Sequence, residues 1–488
     1  MLNLKDIEYL GKVIKSETES DVAVIGGGTA GFIAAIAAAR TSAHTCVIDS
    51  LPFLGGTHTG GMVIGSSGFR HMTPNTEDLE ISFEGEQLVR GIPQEYIDRM
   101  LEYGGAWGKK GNATTKLAFD PEIAKVVIEE MVLEAGVDIW LLTQLVDVVM
   151  EGNRVVGVLV TSSGDLHLIK TKAVVDSSGD AVVCYRAGAV CQIGRPSDGR
   201  PQAASLYFTL GGVDFKNLLK YLRSHPEELP RRLTANVLEE RLSEGKPVFV
   251  PSPPRLYMKA IQSGDLPVAY GTNRPPYSPG CFRTIYRSGR VYPDITTHNM
   301  NMAYNVLPDR VHLTQAMIAS RKFCLKIVDY YRKYVPGFEN SYLMLSAPFF
   351  GLRETRRIVG DYILTKEDVI EGREFTDAVG RCGIELDVHD EAGGEKAGVL
   401  IEVGGTKGWY HVPYRILLPK RVEGVLTAGR CVSTDHMAHG SIRQQSGCML
   451  TGQAAGAAAA LATKLGITPR ALDTKLLQET LKEQAVII

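Results

Sequence analysis

The chain has 488 residues and a formal net charge of −2 at pH 7. Apolar residues make up 44% of it and charged residues 22%, which is typical of a globular protein large enough for two or more domains. The balanced charge argues against a surface for nucleic acid or anionic membrane, and no apolar run is long enough to span a bilayer.

The eight cysteines are scattered and include no C-x-x-C pair. In a long chain this pattern predicts reduced thiols in a cytoplasm rather than disulfides. It also argues against an iron–sulfur cluster or a zinc site, because both need clustered thiolates, so we expect no metal. Residues 1–20 are charged and lack the apolar segment of a secretory signal, and we expect a short amphipathic helix or a loose arm there.

A glycine-rich turn joins the first apolar run to a helix. Residues 21–25 predict a buried parallel strand, and residues 29–40 predict an alanine-rich helix. Between them, Gly26, Gly28 and Gly31 have the spacing G-x-G-x-x-G. Strand, glycine turn and helix in this order are the context in which this motif binds a dinucleotide.

Each position of the turn has a physical role in such a site. Gly26 permits the tight turn, Gly28 lets the backbone approach a pyrophosphate, and Gly31 lets the helix pack closely on the strand. The N–H groups at the helix start, around Thr29 and Ala30, lack partners within the helix and attract phosphate oxygens. The motif therefore predicts NAD, NADP or FAD without distinguishing them.

A second strand, residues 45–48, leads to Asp49 and Ser50. A carboxylate at Asp49 can accept hydrogen bonds from ribose hydroxyls. Residues 54–62 hold four glycines, so we expect this loop to approach the rest of the cofactor; the alternative is a flexible loop. The members of this loop that we expect at the cofactor are Gly55, Gly56, Thr57 and His58.

The next elements are a helix and a series of hairpins. The helix is predicted at residues 119–135, from the start signal Asp120-Pro121 to Gly136. The predicted strands are 138–142, 145–150, 155–161, 166–171 and 173–176, and the last of these runs into Ser178 and Gly179.

Residues 190–350 change in character, with clustered prolines and recurring aromatic and arginine residues. We expect an inserted domain of strands and loops, with helices near 215–224 and 314–334. The chain then returns to a strand at 424–428 and a helix at 441–465. The small residues of that helix favour close packing on a sheet or on the cofactor, or indicate a tightly buried core helix.

Together these segments resemble the FAD-dependent oxidoreductases of the succinate dehydrogenase and heterodisulfide reductase A-like kind. The resemblance covers roughly residues 20–465 and is carried by an ordered set of motifs: residues 24–31, 54–56, 59–61, 175–180, 351–362, 387–389, 426–430, 441–443 and 451–456. It implies an α/β fold: a Rossmann-like FAD-binding domain of the glutathione reductase type, with a parallel sheet and a β-meander, and an inserted α+β substrate domain.

The implied domains are an N-terminal arm (1–20), a discontinuous FAD-binding domain (21–190 and 411–470), an inserted substrate or cap domain (191–410) and a C-terminal tail (471–488). The cofactor implied is FAD. The chain has no second G-x-G-x-x-G motif and therefore lacks the separate NADPH domain of the disulfide reductases.

The resemblance also implies where FAD lies. Its diphosphate contacts the glycine turn, its adenosine ribose contacts Asp49, and its adenine lies near the backbone of Val146. Gly55 and Gly56 lie beside the ribityl phosphate, and Gly179 lets the return strand pass. The residues implied near the flavin ring and ribityl chain are Gly429, Arg430, Ser441, Arg443 and Gln444. Two departures from the family pattern are Asp49, where Glu is commoner, and Arg430, where many relatives have Asp.

Histidines and arginines near these motifs are candidates for the chemistry. Histidine suits a base near neutral pH, and our first choices are His389, which closes the motif 387–389, and His439, just before the last helix. The alternative for each is a histidine that satisfies buried backbone groups. Arg353 is the candidate that holds an anionic substrate, and an internal salt bridge is its alternative. His58 is a candidate for contact with the flavin.

The sequence thus predicts an FAD-dependent dehydrogenase, oxidase or reductase that transfers a hydride between a small organic substrate and the flavin. The alternative is an FAD-carrying electron-transfer subunit of a larger redox complex, against which the missing cysteine clusters count. An RNA-modifying flavoprotein is disfavoured by the balanced charge. We expect a small-molecule substrate, no nucleic acid and no membrane, and a homo-oligomer stays open.

Overall fold

The computed structural model describes residues 14–71, 83–230, 233–389 and 400–488. The strands are β1 (Ile14–Ile25), β2 (Thr45–Ile48), β3 (Gly65–Ser67), β4 (Lys116–Ala118), β5 (Asp138–Trp140), β6 (Thr143–Glu151), β7 (Arg154–Ser162), β8 (Asp165–Asp176), β9 (Cys191–Ile193), β10 (Phe208–Gly211), β11 (Phe249–Pro251), β12 (Cys281–Arg287), β13 (Arg290–Asn299), β14 (Tyr342–Ser346), β15 (Arg356–Ile358), β16 (Ala378–Cys382), β17 (Leu386–Asp387), β18 (Leu400–Ile401), β19 (Tyr410–Pro413) and β20 (Val425–Thr427).

The helices are α1 (Gly31–Arg40), α2 (Ile92–Glu102), α3 (Pro121–Glu134), α4 (Val182–Arg186), α5 (Phe215–Ser224), α6 (Ala235–Ser243), α7 (Pro254–Gln262), α8 (Arg310–Tyr334), α9 (Lys366–Glu371), α10 (His436–Ile442), α11 (Gln445–Leu465) and α12 (Thr474–Glu483). Several begin where side-chain caps dictate. Asp120 accepts the N–H of Glu122 and starts α3 at Pro121. Asp309 caps α8, which therefore begins four residues before the predicted start at 314.

The glycine turn belongs to a seven-stranded sheet. Its order is β5-β2-β1-β8-β7-β6, and β20 pairs with the C-terminal end of β8. Strands β5, β2, β1, β8 and β20 run parallel, whereas β6, β7 and the first half of β8 form an antiparallel meander. The predicted α/β fold class, with a parallel sheet and a β-meander, is confirmed.

The first strand is longer than the sequence indicated. It starts at Ile14 and pairs in parallel with β8 from Leu166 to Asp176. For residues 14–20, the predicted helix or loose arm is therefore wrong, because a distant strand supplies their hydrogen bonds. Residues 1–13, the rest of the predicted arm, lie outside the described residues.

Helix α11 lies directly on α1. A methyl group at Gly452 would collide with the carbonyl oxygen of Ala30, and one at Gly456 would collide with that of Ala34. The two helix backbones can approach this closely only because both positions are glycine. This contact holds the last helix of the chain against the helix that follows the glycine turn.

A second sheet has five strands in the order β11-β12-β13-β10-β14, and all neighbours are antiparallel. Its core includes Phe208 and Phe282 and is separate from the core around α1 and α11. Apolar residues between 364 and 418, such as Leu364 and Tyr410, are buried with α1 and α11 instead. The predicted boundaries of the inserted domain stay a prediction.

Three further observations bear on the site. Among the described residues, no helix is long and apolar enough to cross a membrane. All eight cysteines are free thiols. In the described part of the chain, no three His, Cys, Asp or Glu side chains gather as metal ligands would.

Candidate functional site

A cavity of about 930 Å³ is lined by residues from both sheets. Its first end is formed by the loops that follow β1, β2 and β8. Its other end is formed by residues of the five-stranded sheet, such as Tyr207, Cys281 and Asn299. Loops at the carboxyl ends of parallel strands are the usual place for ligands in an open α/β sheet.

The glycine turn forms a narrow cradle at the first end. The backbones of Gly28 and Gly55 form a β-bridge, and a Cβ at Gly56 would lie 2.8 Å from the Cα of Gly28. Gly26 has a φ of +94°, and a Cβ there would lie 2.6 Å from the Cα of Ser178. At Gly28 itself, a Cβ would meet only the Cα of Gly56, at 3.8 Å, because this position faces the cavity.

The start of α1 is open towards this cradle. Its N-cap residue, Ala30, supplies no side-chain hydrogen bond to the helix. The first N–H groups of a helix have no acceptors within it, and they carry the positive end of the helix dipole. The cradle and the open helix end together fit a pyrophosphate.

Asp49 holds the turn in shape. Its carboxylate accepts hydrogen bonds from the N–H groups of Gly27 (2.7 Å) and Leu51 (2.9 Å). Burial raises the pKa of Asp49, and the backbone N–H groups around it act in the opposite direction. The residue lines the cavity, as a ribose-binding carboxylate must.

The structure brings most of the predicted site residues together. Those that line the cavity are Gly26, Gly28, Thr29, Ala30, Asp49, Ser50, Gly56, Thr57, Ser178, Gly179, Arg353, His389, Gly429, Arg430, Arg443 and Gln444. Those that do not line it are Gly31, Gly55, His58, Val146, His439 and Ser441. Gly31 and Gly55 lie behind the cradle. In place of Val146, the residues before it, Thr143, Gln144 and Leu145, line the wall.

His58 is a structural residue rather than a flavin contact. Its ring is fully buried, stacks on Phe119 at 3.8 Å between centroids, and is hydrogen-bonded to Gln445 (2.9 Å) and Tyr96 (2.6 Å). Burial lowers its pKa to about 3, so the ring is neutral. The predicted role at the cofactor is not supported, because both ring nitrogens face the protein.

His439 and Ser441 are turned away from the cavity because the predicted last helix is two helices. Both residues lie in α10, which ends at Ile442, and α11 begins only at Gln445. The Nε2 of His439 donates to the carbonyl of Arg430 (2.8 Å), and burial holds its pKa well below the usual range. The hydroxyl of Ser441 bonds to Tyr410 (2.9 Å). We therefore no longer place a catalytic base at His439.

The true N-terminus of α11 opens into the cavity. Its N-cap, Gln444, makes no side-chain cap, and Gln445 and Cys448 also line the wall. Nearby, Gly429 donates its N–H to Thr451 (3.0 Å). The positive end of this long helix therefore points at the middle of the cavity, where it can stabilise negative charge.

Arg430 takes part in an ion pair beside the turn at Gly179. Its guanidinium bonds to the Asp180 carboxylate at 2.7 Å and to the carbonyl of Leu352 at 2.6 Å. Thr355 also donates to Asp180, at 2.8 Å. Asp180 also lines the cavity, so a carboxylate lies beside Arg430 in the wall.

His389 belongs to a charged cluster in the cavity wall. Its Nε2 lies 2.7 Å from Asp387, and its Nδ1 lies 3.2 Å from the side-chain nitrogen of Asn301. Burial and the nearby Arg353 lower the pKa of His389, against the influence of Asp387. Burial acts to raise the pKa of Asp387, but His389 and two arginines hold it well below its usual range.

Asp387 also anchors the start of α11. Arg443 donates to its carboxylate (3.2 Å) and carbonyl (2.6 Å), and Gln444 donates to the carboxylate at 3.0 Å. This carboxylate therefore orients three side chains of the wall at once. The Asp387–His389 motif identified in the sequence is thereby tied to the end of the last helix.

Arg353 lines the cavity, and no carboxylate of the described residues is in hydrogen-bond contact with it. Its guanidinium donates to the carbonyl of Ala203 (2.7 Å), the hydroxyl of Ser205 (3.0 Å) and the side chain of Asn299 (3.5 Å). The alternative of an internal salt bridge applies instead to Arg357, which pairs with Glu354.

Sequence reasoning missed several residues of the wall: Gly65, Lys116, Asp180, Tyr207, Phe249, Cys281 and Arg283. Three of them, Phe249, Cys281 and Arg283, come from strands of the inserted part, whose local sequence carries no known motif. Asn299 also lines the wall, but its neighbour His298 is buried elsewhere, between Phe208 and Phe282.

The parallel sheet, the glycine turn at its carboxyl edge and the β-meander define a dinucleotide-binding flavoprotein. More closely, the chain belongs to the FAD dependent oxidoreductase family, whose model matches residues 21–481. FAD is the cofactor of this family, and the cradle and the two open helix ends fit its diphosphate and flavin ring.

Two curated proteins are similar over part of the chain. A digeranylgeranylglycerophospholipid reductase from Picrophilus torridus is 30% identical over 163 residues, which are 33% of this chain and 40% of that protein. A thiamine thiazole synthase from Aeropyrum pernix is 32% identical over 182 residues, 35% of this chain and 58% of that protein. The matches thus span about half the length of these relatives.

Among solved structures, a geranylgeranyl bacteriochlorophyll reductase-like protein from Thermoplasma acidophilum is similar. It is 13% identical, with a TM-score of 0.43, and the match covers 96% of this chain and 84% of that chain.

Proposed function

We propose that this chain is an FAD-dependent enzyme that transfers a hydride between a small organic substrate and the flavin. The observation that carries the proposal is one continuous cavity, which runs from the glycine turn to Arg353 and His389. A cofactor anchored at the first end leaves its ring near the start of α11, and the five-stranded sheet closes the space beyond it.

In this proposal FAD lies along the cavity in one direction. The diphosphate contacts Gly28 and the open start of α1, and the adenosine ribose contacts Asp49. Leu145 would hold the adenine, and Asp180 would hold the ribityl chain. Gly429 and the start of α11 would hold the flavin ring, where the positive end of the helix dipole favours negative charge.

The flavin supplies hydride acceptance or donation, and the protein must hold the substrate and move a proton. With Asp387 accepting from Nε2–H of His389, the neutral ring has its lone pair at Nδ1, where the amide of Asn301 donates. We propose that a substrate hydroxyl displaces this amide and gives its proton to Nδ1 when an alcohol is oxidised. The lowered pKa of His389 keeps the ring in the neutral form that this step requires.

The free thiols support a reducing compartment, and we propose a cytoplasmic enzyme.

An anaerobic screen of metabolites tests the main proposal. The purified protein should carry about one FAD, and its visible absorbance should bleach with the right substrate. The variant His389→Gln should keep its FAD but be reduced by an alcohol substrate roughly 10² to 10⁴ times more slowly. A protein that neither holds nor binds flavin would refute the proposal.

A further inference from the structure

We propose that Arg283 and Arg353 form a subsite for a substrate carboxylate at the end of the cavity made by the five-stranded sheet. This inference rests on the proposed function and goes beyond it by naming the chemical class of the substrate. It is carried by the hydrogen-bonding state of the two guanidinium groups and by the charge of the surrounding wall.

Arg283 comes from β12 and lines the cavity. Its Nη1 is buried and has no hydrogen-bond partner among the described residues. The guanidinium carbon lies 4.6 Å from the ring centre of Phe249, and the Nη1 packs against Gly65. A buried donor without an acceptor is costly, and a ligand acceptor at this point of the cavity wall would remove that cost.

Arg353 reaches the same region, because it bonds to Asn299, whose strand partner Cys281 lies two residues before Arg283 on β12. Its hydrogen bonds within the described part of the chain go to neutral acceptors: a carbonyl, a hydroxyl and an amide oxygen. Burial and the nearby Arg443 disfavour its charged form and lower its pKa, against the influence of Asp387. A bound carboxylate would remove this penalty with charge-assisted hydrogen bonds.

Tyr207 is a polar residue near both arginines. Burial raises the pKa of this phenol, while Arg283 and Arg353 both act to lower it. Tyr207 also lines the cavity. Its hydroxyl is a further donor for a ligand oxygen held between the two guanidinium groups.

The charge balance of this end favours an anion. Among the residues that the structure describes, its charged lining side chains are Lys116, Arg283, Arg353 and Arg443 against Glu385 and Asp387. Asp387 is already engaged by His389, Arg443 and Gln444. The FAD diphosphate does not supply the missing charge in the proposed arrangement, because its cradle is at the opposite end.

The test uses the purified holoenzyme and small probes at fixed ionic strength. Acetate, malonate and benzoate are titrated, each against its uncharged amide, and the shift in Tm gives the Kd. At least one carboxylate should raise Tm in a saturable way while its amide does not. Arg283→Gln and Arg353→Gln should each raise that Kd roughly tenfold or more. Arg283→Lys keeps the charge but loses the planar guanidinium, so its Kd for the carboxylate should lie between those of wild type and Arg283→Gln.

Arg290→Gln is the matched control, since this arginine is on the same hairpin but exposed and stacked on Tyr292. It should leave the Kd unchanged. Equal carboxylate affinity in wild type and both glutamine variants, or no stabilisation by any of the three probes, would overturn the subsite. Loss of FAD in Arg283→Gln without loss of carboxylate affinity would assign the arginine to the cofactor instead. The FAD content of wild type is measured separately, and its absence would refute the proposed function, not the subsite.

Discussion

The fold leaves room for a methyl group at Gly28. A methyl group there would, however, occupy space that a bound diphosphate needs. The residue is outside the left-handed region, and an added Cβ would make only an ordinary contact at 3.8 Å. We therefore expect Gly28→Ala to change the free energy of unfolding of the apoprotein by less than about 0.5 kcal/mol. Its affinity for FAD should fall roughly tenfold or more, as measured by flavin fluorescence during titration.

Gly31 is the matched contrast in the same turn. A methyl there would collide with the carbonyl oxygen of Gly26, inside the protein. Gly31→Ala should therefore lower the free energy of unfolding of the apoprotein, by about 1–3 kcal/mol. If Gly28→Ala bound FAD as tightly as wild type, the diphosphate would not lie on this turn.

Two buried histidines make the fold sensitive to acid. His58 and His298 are both enclosed, and burial lowers the pKa of each to about 3. Between pH 6.5 and 3 the two histidines are protonated in the unfolded chain but stay neutral in the folded protein. The free energy of unfolding therefore falls as the pH falls. From pH 6.5 to 5, each residue should cost about 2 kcal/mol of unfolding free energy.

Urea titrations at pH 7 and pH 5 measure this loss. The ring of His298 bonds to Thr296 (2.8 Å) and Tyr331 (3.0 Å), so His298→Gln should be less stable than wild type at both pH values. Between pH 7 and pH 5, however, His298→Gln should lose about 2 kcal/mol less unfolding free energy than wild type. His44→Gln, at an exposed position, controls for removal of an imidazole. Equal losses in wild type and His298→Gln would contradict the argument.

At the scale of elements, Glu354 ties three segments together before β15. Its carboxylate pairs with Arg357, lies 2.9 Å from Nδ1 of His436 at the start of α10, and accepts the N–H of Gln202 at 3.0 Å. The four residues that make these contacts are buried, and burial lowers the pKa of Arg357 to about 10. Glu354→Gln removes the ion-pair partner of this buried cation, with Asp435 remaining nearby, and should cost about 3–5 kcal/mol of unfolding free energy.

A double variant separates charge from packing. Glu354→Gln with Arg357→Met removes both charges, and it should recover part of the loss, because the cost arises chiefly from the unpaired cation. The surface pair Glu17–Lys170 is the control, and Glu17→Gln should cost less than about 1 kcal/mol. If Glu354→Gln were as mild as Glu17→Gln in urea titrations, the buried pair would not hold these elements together.

The elements that the sequence predicted well are those with local signals. The glycine turn, the cap at Asp120 and the helix Phe215–Ser224 depend on residues close in the chain. Residues 14–20 were mispredicted because their partner strand lies about 150 residues away. The break between α10 and α11 was missed because the small residues around it suit one continuous helix.

The site divides in the same way. Gly28 and Asp49 were predicted as cofactor residues from motif spacing, and the structure places both in the cavity wall. Arg283 was not, because the role proposed for it depends on its place in the cavity wall and on a buried Nη1 without a hydrogen-bond partner among the described residues. His439 was chosen for its place in the chain, but the turn of a short helix directs its ring to the carbonyl of Arg430.

At the scale of the whole molecule, the cavity is where two separate cores meet. Gly28 and Asp49 belong to the seven-stranded sheet and its turn, whereas Tyr207 and Asn299 belong to the five-stranded sheet region. A ligand that fills this cavity contacts both, so its binding free energy stabilises both against opening. At FAD concentrations of 100 Kd this linkage amounts to about 2.7 kcal/mol.

Hydrogen exchange of the apoprotein and the holoenzyme measures how far that stabilisation extends. FAD should slow exchange at the glycine turn and also in β10 (Phe208–Gly211), because the strand begins beside Tyr207 in the cavity wall. The distant helix α12 (Thr474–Glu483) is the internal reference and should change least. Protection confined to the glycine turn would mean that the five-stranded sheet does not enclose the flavin end. The substrate would then have to be sought outside the cavity that Arg283 and Arg353 line.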